Sequence, residues 1–258
     1  MYATLFVLGF RRWSAYRTAA VAGAFTNSVF GLIRASVLMA VVGTAGGALA
    51  GYDRVTAATY VWLGQALIAS INLFTWSELA ERIRTGDVAI DLARPADPML
   101  SYLASDLGRA AFTLLPRGLP QLAIGALVTG VSLPRTPGTY ALGLLSVALG
   151  TAVSFGCRWL VNLSAFWLLD LRGPMTLYLV LANILCGLIV PVHWFPGWLA
   201  ALAAATPFPS MLQAPIDVLM GRAGWQTVAV QALWLAGLLV LGRAGFALGA
   251  RKLVVQGG

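Results

Sequence analysis

Charged side chains concentrate between residues 78 and 109, where acids and bases alternate. Glu78, Glu81 and Arg82 have the i, i+3 and i+4 spacing of side chains on neighbouring turns of one helix. Gly86 interrupts that helix, and Pro95 disfavours helix at the residue before it. The pattern predicts a short charged helix, a tight turn and a second helix that begins near Pro98.

The chemistry that this segment favours is ion pairing with a partner. Complementary pairs of charges fix the orientation in which two proteins dock. A rigid, charged projection from a membrane domain would therefore serve as a docking site. The alternative is a solvated loop whose charges only set the topology of the chain.

Polar side chains inside apolar stretches are the second group that could do chemistry. Arg34 falls near the middle of one such stretch, where a charge costs at least about 2.5–3.5 kcal/mol, so it should face protein or water. With Asn27 it is a candidate to line a path for an anionic or polar substrate; a structural ion pair, or snorkelling to the interface, is the alternative. Arg117 lies at a proline-induced kink, with a path and a packing role both open. For Arg158 we expect anchoring at the inner interface.

No set of residues typical of catalysis or metal binding is present. His193 is the only histidine and has no Cys, Asp or Glu near it in sequence, so an interfacial role is expected. Cys157 and Cys186 lie in apolar stretches, as small buried hydrophobic residues do. The sequence lacks GxxxxGK[ST], HExxH and a Ser/His/Asp pattern. We expect no catalytic residue, no metal and no cofactor in this chain.

The composition places these residues in a membrane protein. The chain has 258 residues, of which 59% are hydrophobic and 10% are charged, whereas about 25% are charged in soluble domains. The net charge of +8 is therefore attributed to topology and headgroup contacts and not to nucleic acid. Arginine and alanine are abundant, as in GC-rich bacterial genomes, which predicts the bacterial inner membrane.

The apolar stretches predict an all-α protein with six transmembrane helices in one membrane domain over 19–258. Residues 1–18 form an expected amphipathic helix in the interface. A charged loop covers about 78–109. Ten basic residues fall on one side of the membrane and three on the other, which predicts that both termini are cytoplasmic. The predicted spans are 19–45, 56–77, 110–133, 138–168, 174–195 and 224–246.

The connection between the fifth and sixth spans, about 196–223, is apolar but rich in proline. Pro196, Pro207, Pro209 and Pro215 forbid one continuous helix. Two short helices that dip into the outer leaflet would satisfy this pattern if protein protects their ends. An interfacial loop with anchoring tryptophans is the alternative.

These features in this order resemble a permease subunit of a type-2 ATP-binding-cassette exporter. The resemblance covers nearly the whole chain. It is carried by the interfacial helix, six spans, GDVAIDLARPADP (Gly86–Pro98), LIVPVHWFPGWL (Leu188–Leu199) running into TPFPSMLQAPIDVLMG (Thr206–Gly221), and the terminal Val-Gln-Gly-Gly.

The resemblance implies that a coupling helix after the second span contacts an ATPase. It also implies a second permease, identical or paralogous, and two separate ATPase subunits that bind ATP and Mg²⁺. Re-entrant helices between spans 5 and 6 would cap the path. The residues expected to couple to the ATPase are Glu78, Glu81, Arg82, Arg84, Asp87, Asp91 and Arg94.

Two other functions stay open at this stage. A gradient-driven transporter would need an ionisable group at mid-membrane, and the sequence offers no acidic residue clearly at that depth. A membrane scaffold would leave the intramembrane Arg34 and Arg117 without a role. Neither the transported substrate nor the identity of the second permease follows from the sequence.

Overall fold

The computed structural model describes residues 1–74, 78–168 and 170–252. Within these ranges the regular elements are all helices, which confirms the predicted all-α class. The α-helices are α1 (Tyr2–Ser14), α2 (Arg17–Thr44), α3 (Arg54–Ile71), α4 (Glu78–Thr85), α5 (Val88–Leu92), α6 (Pro98–Thr113), α7 (Leu119–Val128), α8 (Pro137–Leu163), α9 (Arg172–Leu185), α10 (Gly197–Ala204), α11 (Gln213–Leu219) and α12 (Trp225–Ala250).

Four helical segments are long and apolar enough to cross a membrane. Large apolar side chains such as Phe25, Leu127 and Leu233 are exposed on their surfaces, as lipid-facing residues are. The chain is therefore a multi-pass membrane protein. The four segments are Arg17–Thr44, Pro98–Val128, Pro137–Phe166 and Trp225–Ala250.

The other two predicted spans correspond to shorter helices. α3 has 18 residues and α9 has 14. Fourteen residues rise only about 21 Å, less than the roughly 30 Å of a hydrocarbon core. The predicted boundary 174–195 is thus too long, because the chain turns at Gly187, whose φ is +84°. The second predicted span also includes 75–77, which lie outside the described residues, as does the tail 253–258.

The short helix α3 is the centre of the bundle. Thirteen of its eighteen residues are buried, against α2, α6, α7, α8 and α11. Asp53 begins it with a reciprocal capping box, in which the Asp53 carboxylate accepts from the backbone N–H of Thr56 at 2.8 Å. Asn72 ends it in the left-handed conformation, at a φ of +54°. Its carboxyl end therefore lies inside the protein and needs hydrogen-bond donors.

The third membrane helix begins earlier than the sequence predicts. α6 begins at Pro98, after an Asp97 side chain that accepts from the N–H of Leu100. The helix start predicted near Pro98 is confirmed, but the sequence assigned it to the loop, whereas the helix continues into the span predicted from residue 110. Asp106 and Arg109 on this helix are paired within the protein. The interruption predicted around Arg117 is a π-helical turn, Leu114–Gly118, that joins α6 to α7.

The charged helix predicted after α3 is confirmed as α4, and the second helix predicted near Pro98 is the start of α6. The short helix α5 between them was not predicted. α4 and α5 are separated by Gly86, whose φ is +84°, a conformation that glycine adopts without strain. The apolar side chains of this unit pack on Phe155, Trp159 and Phe246 of α8 and α12. We call residues 78–95 the knob. Its apolar side is thus fixed to the bundle.

The amino-terminal helix lies across α6. The crossing is close because two glycines meet the opposite backbone, Gly9 against Ser105 and Gly108 against Phe6. Most other residues of α1 are exposed. The helix predicted over 1–18 ends at Ser14, and α2 begins at Arg17.

Two short helices, α10 and α11, form in the proline-rich connection, as predicted. Six of the seven residues of α11 are buried, and the helix contacts α8 and α3. Helix α11 is therefore part of the core and not a loop on its surface.

Candidate functional site

An aspartate in α5 braces the knob from within. The Asp91 carboxylate accepts from Arg82 Nε at 2.8 Å and from Arg82 Nη2 at 3.0 Å, a two-point contact. The hydroxyl of Tyr102 in α6 donates to it at 3.1 Å. These bonds tie α4 and α5 to α6, and the bond to Asp91 raises the pKa of Arg82. Asp91 itself is buried.

The seven predicted coupling residues therefore separate into groups. Arg82 and Asp91 form the brace and face inward. Glu78 points towards α1, where Arg12 lies 3.7 Å away. The four that remain, Glu81, Arg84, Asp87 and Arg94, are exposed.

Two apolar side chains that the sequence did not single out share this exposed surface. Ile90 and Leu92 are 53% and 44% exposed, between Asp87 and Arg94. We call the exposed residues Asp87, Ile90, Leu92 and Arg94 together the tip of the knob. A small apolar centre flanked by both charges is the usual composition of a docking surface.

A buried ion-pair network lies at the base of the knob. Asp106 accepts from Arg109 at 2.7 Å and from Arg158 at 2.8 Å, so both carboxylate oxygens are engaged. Arg158 is 2% exposed. Its predicted role as an interfacial anchor is therefore wrong, since it pairs with Asp106 inside the bundle.

Arg109 also caps the central helix. Its Nη1 donates to the carbonyl of Ala69 at 2.6 Å and its Nη2 to that of Ser70 at 2.8 Å. These carbonyls belong to the last turn of α3. Carbonyls at this position have no hydrogen-bond partners within their own helix and carry partial negative charge. Arg109 thus donates hydrogen bonds both to the buried carbonyls at the end of α3 and to one oxygen of Asp106.

A polar cleft of about 360 Å³ opens beside this network, between α1, α2, α6 and the end of α3. We call it the basic cleft. Of the three residues predicted to line a path, Asn27 and Arg117 lie here, together with Arg12, Trp13, Asp106 and Arg109. Arg34 is elsewhere, with its Nη2 donating to the carbonyl of Ile189 at 3.1 Å. The sequence missed Asp106 and Arg109 because they were assigned to a polar loop.

A second polar network connects α11 to the rest of the bundle. His193 Nε2 lies 2.9 Å from one carboxylate oxygen of Asp217, and Gln213 donates to the other at 2.9 Å. The hydroxyl of Tyr60 in α3 is 2.6 Å from Gln213 Oε1. His193 therefore has an acidic partner, which the sequence did not reveal because 24 positions separate the two residues.

Neither cysteine is part of a disulfide; Cys157 and Cys186 are both free and buried. Within 1–74, 78–168 and 170–252, no three His, Cys, Asp or Glu side chains cluster closely enough to hold a metal ion.

The helical bundle, the apolar surface and the charged knob define a multi-pass membrane protein with a candidate docking site for a partner. Residues 30–257 match the model of the family described as ABC-2 family transporter protein. The chain belongs to this family, whose members are permease subunits of transporters and generally work with ATPase subunits. No curated protein and no solved structure matches the chain.

Proposed function

We propose that this chain is the permease subunit of an ATP-driven exporter and couples to a separate ATPase through the tip of the knob. The observation that supports the proposal is that the knob has two sets of side chains, one that fixes it to the bundle and one that is exposed. Arg82, Asp91 and Tyr102 hold it rigidly, while Asp87, Ile90 and Arg94 are exposed to a partner. Arg94 makes only a long, 3.7 Å pair with Asp91, and its side chain is 67% exposed. A rigid projection transmits the movement of a docked subunit to the helices on which it packs.

The proposal includes a six-span topology in the bacterial inner membrane with both termini in the cytoplasm. The knob would then face the compartment that holds ATP. Two permeases, identical or paralogous, would form the path between them, and two ATPase subunits would bind ATP and Mg²⁺. The α10–α11 segment would close the path on the opposite side, which the burial of α11 in protein supports.

A gradient-driven mechanism remains the competing function, and Asp106 and Asp217 are the acidic residues inside the bundle that it could use. Asp217 contacts His193 and Gln213 through its two oxygens. Both Asp106 oxygens already accept hydrogen bonds from arginines. A proton carrier needs an oxygen that is open to exchange, so this arrangement favours a structural role for Asp106.

Affinity purification from native membranes in mild detergent, with mass spectrometry of the recovered proteins, tests the proposal. We expect a stoichiometric ATPase with the wild-type chain. The double variant Asp87→Arg/Arg94→Glu should lose it, since it inverts the charges of the tip. Arg135→Glu, at an exposed position outside the knob, should retain it. Recovery of the wild-type chain without an ATPase in several detergents would contradict the proposal.

A further inference from the structure

The basic cleft has more donors than acceptors. Its arginines are Arg12, Arg109 and Arg117, and its acids are Glu78 and Asp106. Asp106 is shared between Arg109 and Arg158, so its single negative charge is already exceeded by two cations. Arg12 is 3.7 Å from Glu78, and both side chains are largely exposed, which makes a weak pair.

Arg117 is the donor without a counter-charge. Its Nη2 donates to the carbonyl of Ala19 at 3.0 Å, but its Nε is buried and has no hydrogen-bond partner. None of the ion pairs in the described part of the chain includes Arg117. A buried N–H donor normally has a hydrogen-bond partner, and a half-buried guanidinium group normally has a counter-charge nearby, so an anion is expected beside Arg117.

The local backbone makes room for this arginine. Gly23 of α2 lies directly against the guanidinium group, where any larger residue would collide with it. The position of Arg117 at the edge of the cleft therefore depends on Gly23. A larger side chain at position 23 would displace the Arg117 guanidinium group without removing its charge.

Apolar side chains also line the cleft. Trp13, Ile68 and Phe74 border the cleft, and Trp13 and Phe74 are 41% and 47% exposed. Partly exposed aromatic side chains beside arginines are typical of the membrane interface, where headgroups meet hydrocarbon. A ligand that satisfies both parts of the lining has an anionic head and an apolar body.

We propose that the basic cleft binds the anionic headgroup of a membrane amphiphile, such as a lipid phosphate. Arg117 is the main ligand, Arg12 the second, and the apolar part of the molecule lies against Trp13 and Phe74. Binding itself is independent of the proposed exporter function. The further question of whether this amphiphile is transported rests on that function.

Native mass spectrometry of the purified full chain measures the binding. The probes are dioleoyl phosphatidylglycerol and dioleoyl phosphatidylcholine, which share their acyl chains and differ in headgroup charge. We expect retention of the anionic lipid over the zwitterionic one. Arg117→Gln should weaken the anionic lipid about tenfold, the effect of losing one charge-assisted hydrogen bond.

Three variants separate a lost ligand from a damaged fold. Gly23→Ala should weaken anionic lipid binding because it displaces the guanidinium group, although no charge is changed. Arg117→Lys should keep part of the preference. Arg135→Gln removes the same charge outside the cleft and should behave as wild type. Equal binding of both lipids to the wild-type chain, or equal effects of Arg117→Gln and Arg135→Gln, would overturn the proposal.

Two further arms identify the source of the anion. Displacement of the lipid by inorganic phosphate at equal concentration would assign a free-phosphate site and overturn the amphiphile. In nanodiscs that contain the ATPase partner, ATP-dependent movement of labelled phosphatidylglycerol between leaflets would identify a transported molecule. ATPase stimulation without movement would identify a resident lipid. If no ATPase is recovered, the exporter function fails while Arg117-dependent lipid binding in detergent still stands.

Discussion

Asp91 in the knob and Asp106 in the bundle are both held by arginines, but in different surroundings. The Arg82 side chain that holds Asp91 is 27% exposed, whereas the two that hold Asp106 are 7% and 2% exposed. A pair with one solvent-accessible partner is partly screened by water, while removing one partner of a fully buried pair costs about 3–5 kcal/mol. The Asp–Arg pair of the knob should therefore stabilise only the knob, whereas the pairs of Asp106 should stabilise the whole bundle.

The largest expected effect tests the bundle side of this comparison. Asp106→Asn leaves Arg109 and Arg158 buried without their counter-charge. We expect a loss of about 3–5 kcal/mol in the free energy of unfolding. Denaturant unfolding in micelles, followed by tryptophan fluorescence, measures it. A loss no greater than that of Asp91→Asn would show that the two environments do not differ as described.

The knob side should respond less. Asp91→Asn keeps the shape of the side chain and weakens the two contacts with Arg82. We expect a loss of about 1–2 kcal/mol, because the pair is only partly buried. The same unfolding experiment applies, and limited proteolysis should become faster at residues 78–95 alone. Faster cleavage throughout the chain would contradict a local role.

Charges at the tip of the knob should matter for binding and hardly at all for folding. Asp87→Arg/Arg94→Glu alters exposed side chains, so we expect a change in stability within about 0.5 kcal/mol. Thermal unfolding of the purified variant measures this. If the variant were as unstable as Asp91→Asn, the tip would be part of the brace.

A pH dependence is expected outside both regions. Burial, and next the charge of Asp217, raise the pKa of Tyr52 from 10.0 to about 12. The folded protein thus favours the neutral phenol of Tyr52. The contribution of Tyr52 to the free energy of unfolding should therefore be constant below pH 10 and should fall as the pH rises towards 12. Comparing thermal unfolding at about pH 9 and 11, we expect Tyr52→Phe to show a smaller drop than wild type. Equal drops would remove Tyr52 as the cause.

The contrast between the knob and the bundle also explains which features the sequence could predict. Helix α4 and the helix start near Pro98 were predictable because their signals are local: Gly86 ends the charged helix, and proline favours the first turn of the next. Helix α5 between them has no such signal and was missed. The continuation of the helix from Pro98 into the bundle was not predictable, because Asp106 and Arg109 are polar in sequence and buried only through distant partners. Arg158 is 52 positions from Asp106, and the carbonyls that Arg109 caps are 39 and 40 positions away.

The candidate path was half predictable for a similar reason. Asn27 and Arg117 were identified as polar residues in apolar stretches, and both line the basic cleft. Arg34 has the same sequence character, yet it contacts the turn after α9, which no local pattern indicates. His193 likewise acquires Asp217 only through the fold.

Site-specific photo-crosslinking tests the coupling role of the knob most directly. A photoreactive amino acid replaces Ile90 at the tip or, as control, Arg135 outside the knob, and intact cells that express the chain are irradiated. We expect an adduct with an ATPase subunit from position 90 and none from position 135. An ATPase adduct from position 135, or adducts from position 90 that contain no ATPase, would contradict the assignment of the tip as the ATPase contact.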